Sequence, residues 1–134
     1  RGLVVEEIKS SEQVDFKEWL HIRAWAGDEK VSVGGSFFGL AQHPRIVRLN
    51  SQPVEIVPEG ILFMMTNKDR PGIVGHLGSV LGKHGVNIAN MSLGRDREGG
   101  EALTALNIDS VPSAECLAEL EADPDISHIR IVQF

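Results

Sequence analysis

The chain has 134 residues, of which 42% are hydrophobic, and a formal net charge of −6. This composition is typical of a globular protein with room for one domain or two small ones, and it argues against disorder. The negative balance argues against non-specific binding of nucleic acid or of anionic membrane surfaces. A single cysteine, Cys116, excludes an internal disulfide and fits the reducing cytoplasm, where we expect the protein to act.

Two further features of the sequence bear on where the chain acts. It has no apolar run of 18 residues and no signal peptide, so we expect neither a transmembrane helix nor secretion. It begins at Arg1 rather than at a methionine, so we expect it to be part of a longer protein.

Residues 1–59 show the alternation of apolar and polar side chains that is typical of strands. We predict strands over residues 3–5, 16–26, 30–38, 45–49 and 54–57, the last two joined as a hairpin around residues 50–52. Gly34 and Gly35 match neither a phosphate-binding loop nor a nucleophile elbow, so we expect them to mark a bulge or a crowded backbone. The turn at residues 58–60 is the predicted boundary between this smaller, partial β-rich domain and a second domain over residues 60–134.

Residues 60–134 alternate between the periodicity of strands and that of helices. We predict strands over residues 61–66, from residue 86, and over residues 101–109 and 126–134, with helices from Pro71 to residue 84 and from Pro112 to the turn at residues 123–125. This β-α-β-β-α-β order predicts an α+β, ferredoxin-like domain, in which an antiparallel sheet carries both helices on one face. Cys116, Leu117 and Leu120 form the predicted inner face of the second helix.

The first of these helices contains Gly75, Gly78 and Gly82, which form one smooth stripe because they lie three and four residues apart. Each glycine costs roughly 1 kcal/mol relative to alanine inside a helix, so the stripe needs a reason. We interpret it first as close packing of the helix on its own sheet. The alternative is the close approach of a second backbone or of a ligand.

The loop between the first strand and the first helix of this domain carries the groups that bind a free amino acid. Free N–H groups at a helix N-terminus bind carboxylates, and Gly72 has no side chain to block them. Asp69 could hold an ammonium group, and Asn67 adds an amide nearby. The residues alone leave a structural alternative open, in which Asp69 caps the helix and Asn67 only forms the turn.

No catalytic site and no metal site are predicted. The five histidines lack the spacing and the cysteine partners of a metal site, and no nucleophile lies with a base in a recognisable arrangement. The chain has no G-x-G-x-x-G dinucleotide motif, so we expect no cofactor in it. RNA binding is disfavoured because the predicted strand 101–109 has no aromatic residue for base stacking.

Several motifs resemble the C-terminal region of bacterial D-3-phosphoglycerate dehydrogenases. Residues 67–75 (NKDRPGIVG) and 85–91 (GVNIANM) are similar to the ACT domain of that family, and residues 35–39 (GSFFG), 44–49 (PRIVRL) and 58–60 (PEG) are similar to the end of its intervening domain. The resemblance covers essentially the whole chain. It implies a regulatory fragment without the catalytic domains, so that NAD would bind only in the parent enzyme, which performs the first step of L-serine biosynthesis.

The resemblance also implies a ligand and an assembly. ACT domains of the family pair side by side into a continuous sheet and bind L-serine, the feedback inhibitor, at the subunit interface, so we expect a homodimer. By position, the serine contacts are Asn67, Asp69, Pro71, Gly72, Ile73 and Val74, together with the partner subunit's Asn87. Arg45 falls on a position at which some relatives bind a phosphate-bearing effector, which makes it a candidate for a second anion site.

Two other functions stay open at this point. The β subunit of bacterial L-serine dehydratase has a similar arrangement of modules, and a domain of this kind can also serve only to assemble subunits. A nucleotide-binding domain upstream of the chain would exclude the dehydratase. A dimer that binds no amino acid would favour pure assembly.

Overall fold

The computed structural model describes residues 20–40 and 43–134, and these form two antiparallel sheets and two helices. The strands are β1 (Leu20–Ala26), β2 (Glu29–Phe38), β3 (His43–Leu49), β4 (Gln52–Ile56), β5 (Ile61–Lys68), β6 (Ile88–Arg95), β7 (Glu101–Ile108) and β8 (Ile126–Gln133), and the helices are α1 (Ile73–Lys83) and α2 (Ala114–Glu121). The predicted strand 3–5 and the first four residues of the predicted strand 16–26 lie outside the described residues.

The first sheet is a meander in which β1, β2, β3 and β4 lie side by side in chain order. Its β3–β4 pair is the hairpin that the sequence predicts around residues 50–52. The register of β2 against β3 shifts between Gly34 and Gly35, so the predicted bulge is also confirmed. A bulge bends its strand, and here it changes the pairing partner from Arg48 to Ile46.

The second sheet has the strand order β6-β7-β5-β8, and every neighbouring pair is antiparallel. The apolar residues of both helices pack against alternate residues of the strands, which confirms the predicted α+β, ferredoxin-like arrangement. The buried residues of this core are Phe63, Met65, Ile73, Leu77, Val80, Leu81, Val86, Leu106, Ile108, Cys116, Leu120 and Ile126. This packing holds the β5–α1 loop at one end of the sheet.

The C-terminal end of α1 lies where the sequence predicts it, and the N-terminal end does not. Gly85 has a φ of 73° and donates to the Gly82 carbonyl at 3.0 Å, and the Val86 N–H donates to the Leu81 carbonyl at 2.9 Å. This arrangement is a Schellman cap, so the predicted helix stop at Gly85 is confirmed. The start of α1 differs from the prediction, since the helix begins at Ile73 rather than at Pro71. The strand β6 begins at Ile88, two residues later than predicted, because the helix cap uses the backbone of Val86.

The glycine stripe of α1 does not pack on its own sheet, so that interpretation was wrong. A methyl group built at Gly75, Gly78 or Gly82 meets no atom within 4 Å. The buried stripe of the helix is instead Ile73, Leu77, Val80 and Leu81. The alternative, close approach of a second backbone or a ligand, stays a prediction.

The first sheet packs on the face of the second sheet that is opposite the helices. Val54 and Ile56 of β4 form a small buried cluster with Leu62 of β5 and Ala105 of β7. The Glu55 N–H donates to Ser92 Oγ at 2.9 Å, and Asn107 Nδ2 donates to the carbonyls of Val57 and Glu59, each at 3.0 Å. The strand β6 therefore has β4 against its face.

Candidate functional site

The β5–α1 loop, residues 69–72, lies at the end of the second sheet where Lys68 pairs with Glu101. Gly72 is the N-cap of α1, with a φ of 89° and no side-chain capping bond. The helical ladder starts with the His76 N–H, which donates to the Gly72 carbonyl at 2.9 Å. No described residue accepts a hydrogen bond from the N–H groups of Gly72, Val74 or Gly75, so these amides are available to an anion.

Asp69 does not cap α1, and this part of the prediction was wrong. Its carboxylate instead accepts hydrogen bonds from Arg95 Nη1 at 2.9 Å and from the Gly99 N–H at 3.3 Å. The Asp69 N–H also donates to the Gly100 carbonyl at 2.8 Å. The bond from Arg95, and to a lesser extent that from Gly99, lowers the pKa of the Asp69 carboxyl, so it is ionised at neutral pH.

Arg70 fixes the other side of the loop. Its guanidinium forms salt bridges with Asp123, at 2.7 Å, and with Asp125, both in the turn between α2 and β8. The Lys68 N–H donates to the Asp125 carbonyl at 2.9 Å. The loop is therefore held between the β6–β7 hairpin and the α2–β8 turn, which fixes the direction of the free amides of α1.

This ion-paired loop makes the stability of the chain sensitive to acid. The Asp125 N–H and Arg70 lower the pKa of Asp123, and Arg95 lowers that of Asp69. Their folded pKa values lie below the unfolded ones, so this stability is fully present above about pH 4 and is lost as the pH falls through the folded values. We expect urea unfolding between pH 5 and pH 2.5 to show a smaller loss of stability in Arg70→Met than in the wild type. Arg130→Met is the control, because this arginine is exposed and, among the described residues, its guanidinium is hydrogen-bonded only to the Ile129 carbonyl. Equal acid sensitivity of all three proteins would contradict the assignment.

Asn67 is buried, with only 1% of its surface exposed. Its Oδ1 accepts a hydrogen bond from Thr104 Oγ1 at 2.8 Å, and its Nδ2 donates to the Lys68 carbonyl at 3.1 Å. The side chain thus faces the interior, where its hydrogen bonds hold the end of β5 next to the loop. Whether Asn67 also contacts a ligand stays a prediction.

Asn87 lies at the opposite end of the sheet from the loop. It precedes Ile88, which pairs with Ile108 at the end of β7, whereas Lys68 pairs with Glu101 at its start. Seven residues of strand separate the two ends, which is roughly 24 Å. Asn87 is exposed and donates from Nδ2 to Asp109 Oδ2 at 2.7 Å. One chain therefore does not bring Asn87 to the loop.

Arg45 lies on β3 of the first sheet, away from the loop. Its Nη1 donates to the Pro44 carbonyl at 2.9 Å, and its Nε is 4.0 Å from Glu55 Oε1. It lines a groove of about 370 Å³ whose other lining residues include Leu20, Ile22, Val33, Phe37 and Ile46. No second arginine or lysine lines this groove within the described part of the chain, and the anion site at Arg45 stays a prediction.

The β6–β7 hairpin is a part of the site that local sequence patterns did not predict. Arg95 lies 26 residues from Asp69 and Asp123 lies 53 residues from Arg70, so only the tertiary fold brings these charges together. The run of charged residues at 95–98 was the one available signal. The hairpin also borders a polar groove of about 530 Å³, lined by Thr66, Asn67, Lys68, Asp96, Arg97, Gly99, Gly100, Glu101, Pro124, Asp125 and Ser127.

Other site chemistries find no support in residues 20–40 and 43–134. No three histidine, cysteine, aspartate or glutamate side chains there come together as a metal site. Every pair of neighbouring strands is antiparallel, so this part of the chain contains no β-α-β unit with adjacent parallel strands, the unit that binds dinucleotides. Neither of the two helices in the described residues has the length and hydropathy needed to cross a membrane.

Comparison with known proteins identifies the region that carries the loop. Residues 61–125 match the ACT domain family. The chain is 30% identical over 132 residues to D-3-phosphoglycerate dehydrogenase of Methanocaldococcus jannaschii, a match that covers 98% of this chain and 25% of the relative. It is 32% identical over 120 residues to the enzyme of that name from Synechocystis sp., covering 90% of this chain and 22% of the relative. For that of Bacillus subtilis the identity is 28% over 135 residues, covering 98% and 25%. The chain thus spans about a quarter of the length of the curated relatives it matches.

Proposed function

We propose that residues 61–125, which match the ACT domain family, are an ACT domain that binds L-serine as a feedback inhibitor, and that the chain is the regulatory region of a D-3-phosphoglycerate dehydrogenase. The match to the dehydrogenases covers the region with the ACT domain and leaves most of their length, including the catalytic domain, unmatched. In this proposal catalysis belongs to the part of the parent protein that the chain does not span. In this proposal the parent protein is cytoplasmic, uses NAD and catalyses the first step of L-serine biosynthesis.

The arrangement at the β5–α1 loop is the observation that supports an amino-acid ligand best. The N–H groups of Gly72 and Val74 have no acceptor among the described residues, and the ionised carboxylate of Asp69 lies in the same loop. An α-amino acid carries a carboxylate that fits the amides and an ammonium group that fits the carboxylate. The loop thus offers complementary charge to both ends of a small zwitterion.

The position of Asn87 supports a dimer. Within the described residues, β6 has no strand on its outer edge. If two β6 edges pair antiparallel around a two-fold axis, the start of the partner's strand lies beside the end of the first. This pairing would place the partner subunit's Asn87 next to Arg95 and the loop, and the open glycine stripe of α1 would allow a second helix to approach. The site would then be completed only in the homodimer.

Asp69→Asn tests this function because it removes the charge and keeps the shape. We expect wild-type chain to show a rise in melting temperature with millimolar L-serine, and a smaller rise with glycine or D-serine, since a ligand of the native state stabilises by mass action. We expect Asp69→Asn to weaken the affinity for L-serine by about tenfold to a hundredfold in calorimetric titration, as for a lost charged hydrogen bond. Asp28→Asn, which changes the same charge in a turn of the first sheet, should bind as the wild type does.

One observation favours a second function, assembly alone. The Asp69 carboxylate already has Arg95 as a cationic partner, and Asn67 is buried, so the loop could be a purely structural element. A dimer that responds to none of the amino acids in calorimetry would support this function and would contradict the serine site. The curated relatives named above carry the dehydrogenase name, which favours that parent over an L-serine dehydratase.

A further inference from the structure

Arg95 lies at the end of β6, and its guanidinium contacts the β5–α1 loop. Nη1 donates to Asp69 Oδ2 at 2.9 Å, and the Gly99 N–H donates to the same oxygen at 3.3 Å. Asp69 Oδ1 has no hydrogen-bond donor among the described residues. The Asp69 side chain is 18% exposed and that of Arg95 is 54% exposed, so a small ligand can reach both groups.

The ion pair between Arg95 and Asp69 determines which ligand charges the loop can bind. A guanidinium has five N–H donors, and the Asp69 carboxylate uses one nitrogen of Arg95, so the remaining N–H groups can bind a second carboxylate. A simple amine would meet an aspartate whose charge is largely offset by Arg95. A simple carboxylate would meet Arg95 with the negative charge of Asp69 beside it. Only a ligand with both charges gains from both groups.

On the basis of the proposed amino-acid site, we infer that Arg95 is a specificity-determining residue that binds the α-carboxylate of the ligand together with the α1 amides, while Asp69 Oδ1 binds its ammonium group. Arg95 keeps its bond to Asp69 Oδ2 and so also holds the carboxylate in place. The lowered pKa of Asp69, for which Arg95 is the main cause, agrees with this role. The ligand class is therefore zwitterionic α-amino acids, and amines or hydroxy acids of the same size are rejected.

Arg95→Gln with three ligands tests the inference. L-Serine carries both charges, ethanolamine is serine without the carboxylate, and 3-hydroxypropanoate is serine without the ammonium group. We expect the wild type to bind L-serine at least tenfold more tightly than either analogue in calorimetry. In Arg95→Gln we expect the affinity for L-serine to fall about tenfold and that for ethanolamine to rise, because Asp69 loses its cation. The preference for serine over ethanolamine should then shrink by more than tenfold.

Two further variants make the result specific. Arg130→Gln removes the same charge from β8, outside the loop and the β6–β7 hairpin, where the Arg130 side chain is exposed and donates to the Ile129 carbonyl, so its ligand preferences should equal those of the wild type. Arg95→Lys keeps the charge but loses the planar guanidinium with its paired N–H donors. It should therefore reject ethanolamine more strongly than Arg95→Gln does, and less strongly than the wild type. Thermal unfolding without ligand shows that each variant is folded.

The outcomes separate the inference from the proposed function. If the wild-type dimer binds no L-serine, the amino-acid site itself is wrong. If the wild type binds L-serine and Arg95→Gln binds it equally well with the same rejection of ethanolamine, the amino-acid site stands and the role of Arg95 is overturned. An equal loss in Arg130→Gln would also overturn it, because general charge would then explain the effect.

Discussion

Replacing Gly94 with alanine is expected to lower the free energy of unfolding by about 3 kcal/mol, the upper end of the range for overpacked positions. Gly94 is a buried residue of the edge strand β6, directly before Arg95. A methyl group at this position would overlap the carbonyl oxygen of Pro53, and it would lie 3.3 Å from the Pro53 carbonyl carbon and from Val54 Cγ1. The obstacle is backbone, so it cannot move aside as a flexible side chain could.

The effect should extend beyond local strain, because β4 connects the two sheets. Next to the crowded point, the Glu55 N–H donates to Ser92 Oγ, and Val54 packs in the cluster with Leu62 and Ala105. If β4 moves away to admit the methyl group, it loses this bond and exposes apolar surface. We therefore expect faster hydrogen exchange at the Glu55 amide in Gly94→Ala, as a local sign that the sheets have separated.

The measurement compares Gly94→Ala with Ser92→Ala and Gly78→Ala. Ser92→Ala removes only the hydroxyl acceptor and should cost about 1 kcal/mol. Gly78→Ala adds the same methyl group where no atom lies within 4 Å, and it should leave stability unchanged or raise it by up to about 1 kcal/mol. The three proteins are unfolded in urea at a concentration low enough that sedimentation shows only the monomer, because a dimer would bring a second helix towards Gly78. Wild-type stability and Glu55 protection in Gly94→Ala would show that β4 does not pack on β6.

Local sequence signals predicted most of the fold, because each depends on neighbours in the chain. The stop of α1 at Gly85 needs only a left-handed glycine after an apolar stripe, and the β3–β4 hairpin needs only two alternating segments around residues 50–52. The order of these elements then leaves few topologies, and the ferredoxin-like one was correct. The packing of β4 against β6 was not predicted, since nothing near Gly94 in the sequence points to Pro53.

The candidate site was less predictable, because its side chains are paired over long distances. One alternative made Asp69 the helix cap, because it lies just before Pro71 at the predicted helix start. In the structure Arg95 and the Gly99 N–H bind its carboxylate, and Gly72 takes the cap position. A capping rule compares only residues within one turn, so it cannot include a competitor from another hairpin. The interpretation of the glycine stripe as a surface packed on its own sheet was wrong for a similar reason. The sequence shows which face of the helix lacks side chains, but it does not show what lies opposite that face.

Thr104→Val is expected to lower the free energy of unfolding by about 1–3 kcal/mol, the cost of a buried polar atom without a partner. Thr104 is 1% exposed, and its hydroxyl is the donor to Asn67 Oδ1 at 2.8 Å. Valine has the same shape and no donor, so the amide oxygen would stay buried and unpaired. Thr66→Val is the control, because Thr66 is half-buried, lines the polar groove and lies on the face of β5 opposite Asn67. This substitution should lower the free energy of unfolding by less than about 0.5 kcal/mol.

Variants at Thr104 and Asn67 also show whether Asn67 only stabilises the fold or contacts the ligand directly. Removing both partners in Thr104→Val with Asn67→Leu should cost less than the sum of the single changes, because no polar atom is then left unpaired. If Asn67 acts only by supporting the loop, Thr104→Val should also weaken the affinity for L-serine, though less than Asn67→Leu, which additionally removes the bond from Asn67 Nδ2 to the Lys68 carbonyl. A loss of affinity confined to the variants at Asn67, with Thr104→Val binding normally, would instead make Asn67 a direct ligand contact. Calorimetric titration of the four proteins distinguishes the two roles, and urea unfolding of the same samples gives the coupling energy.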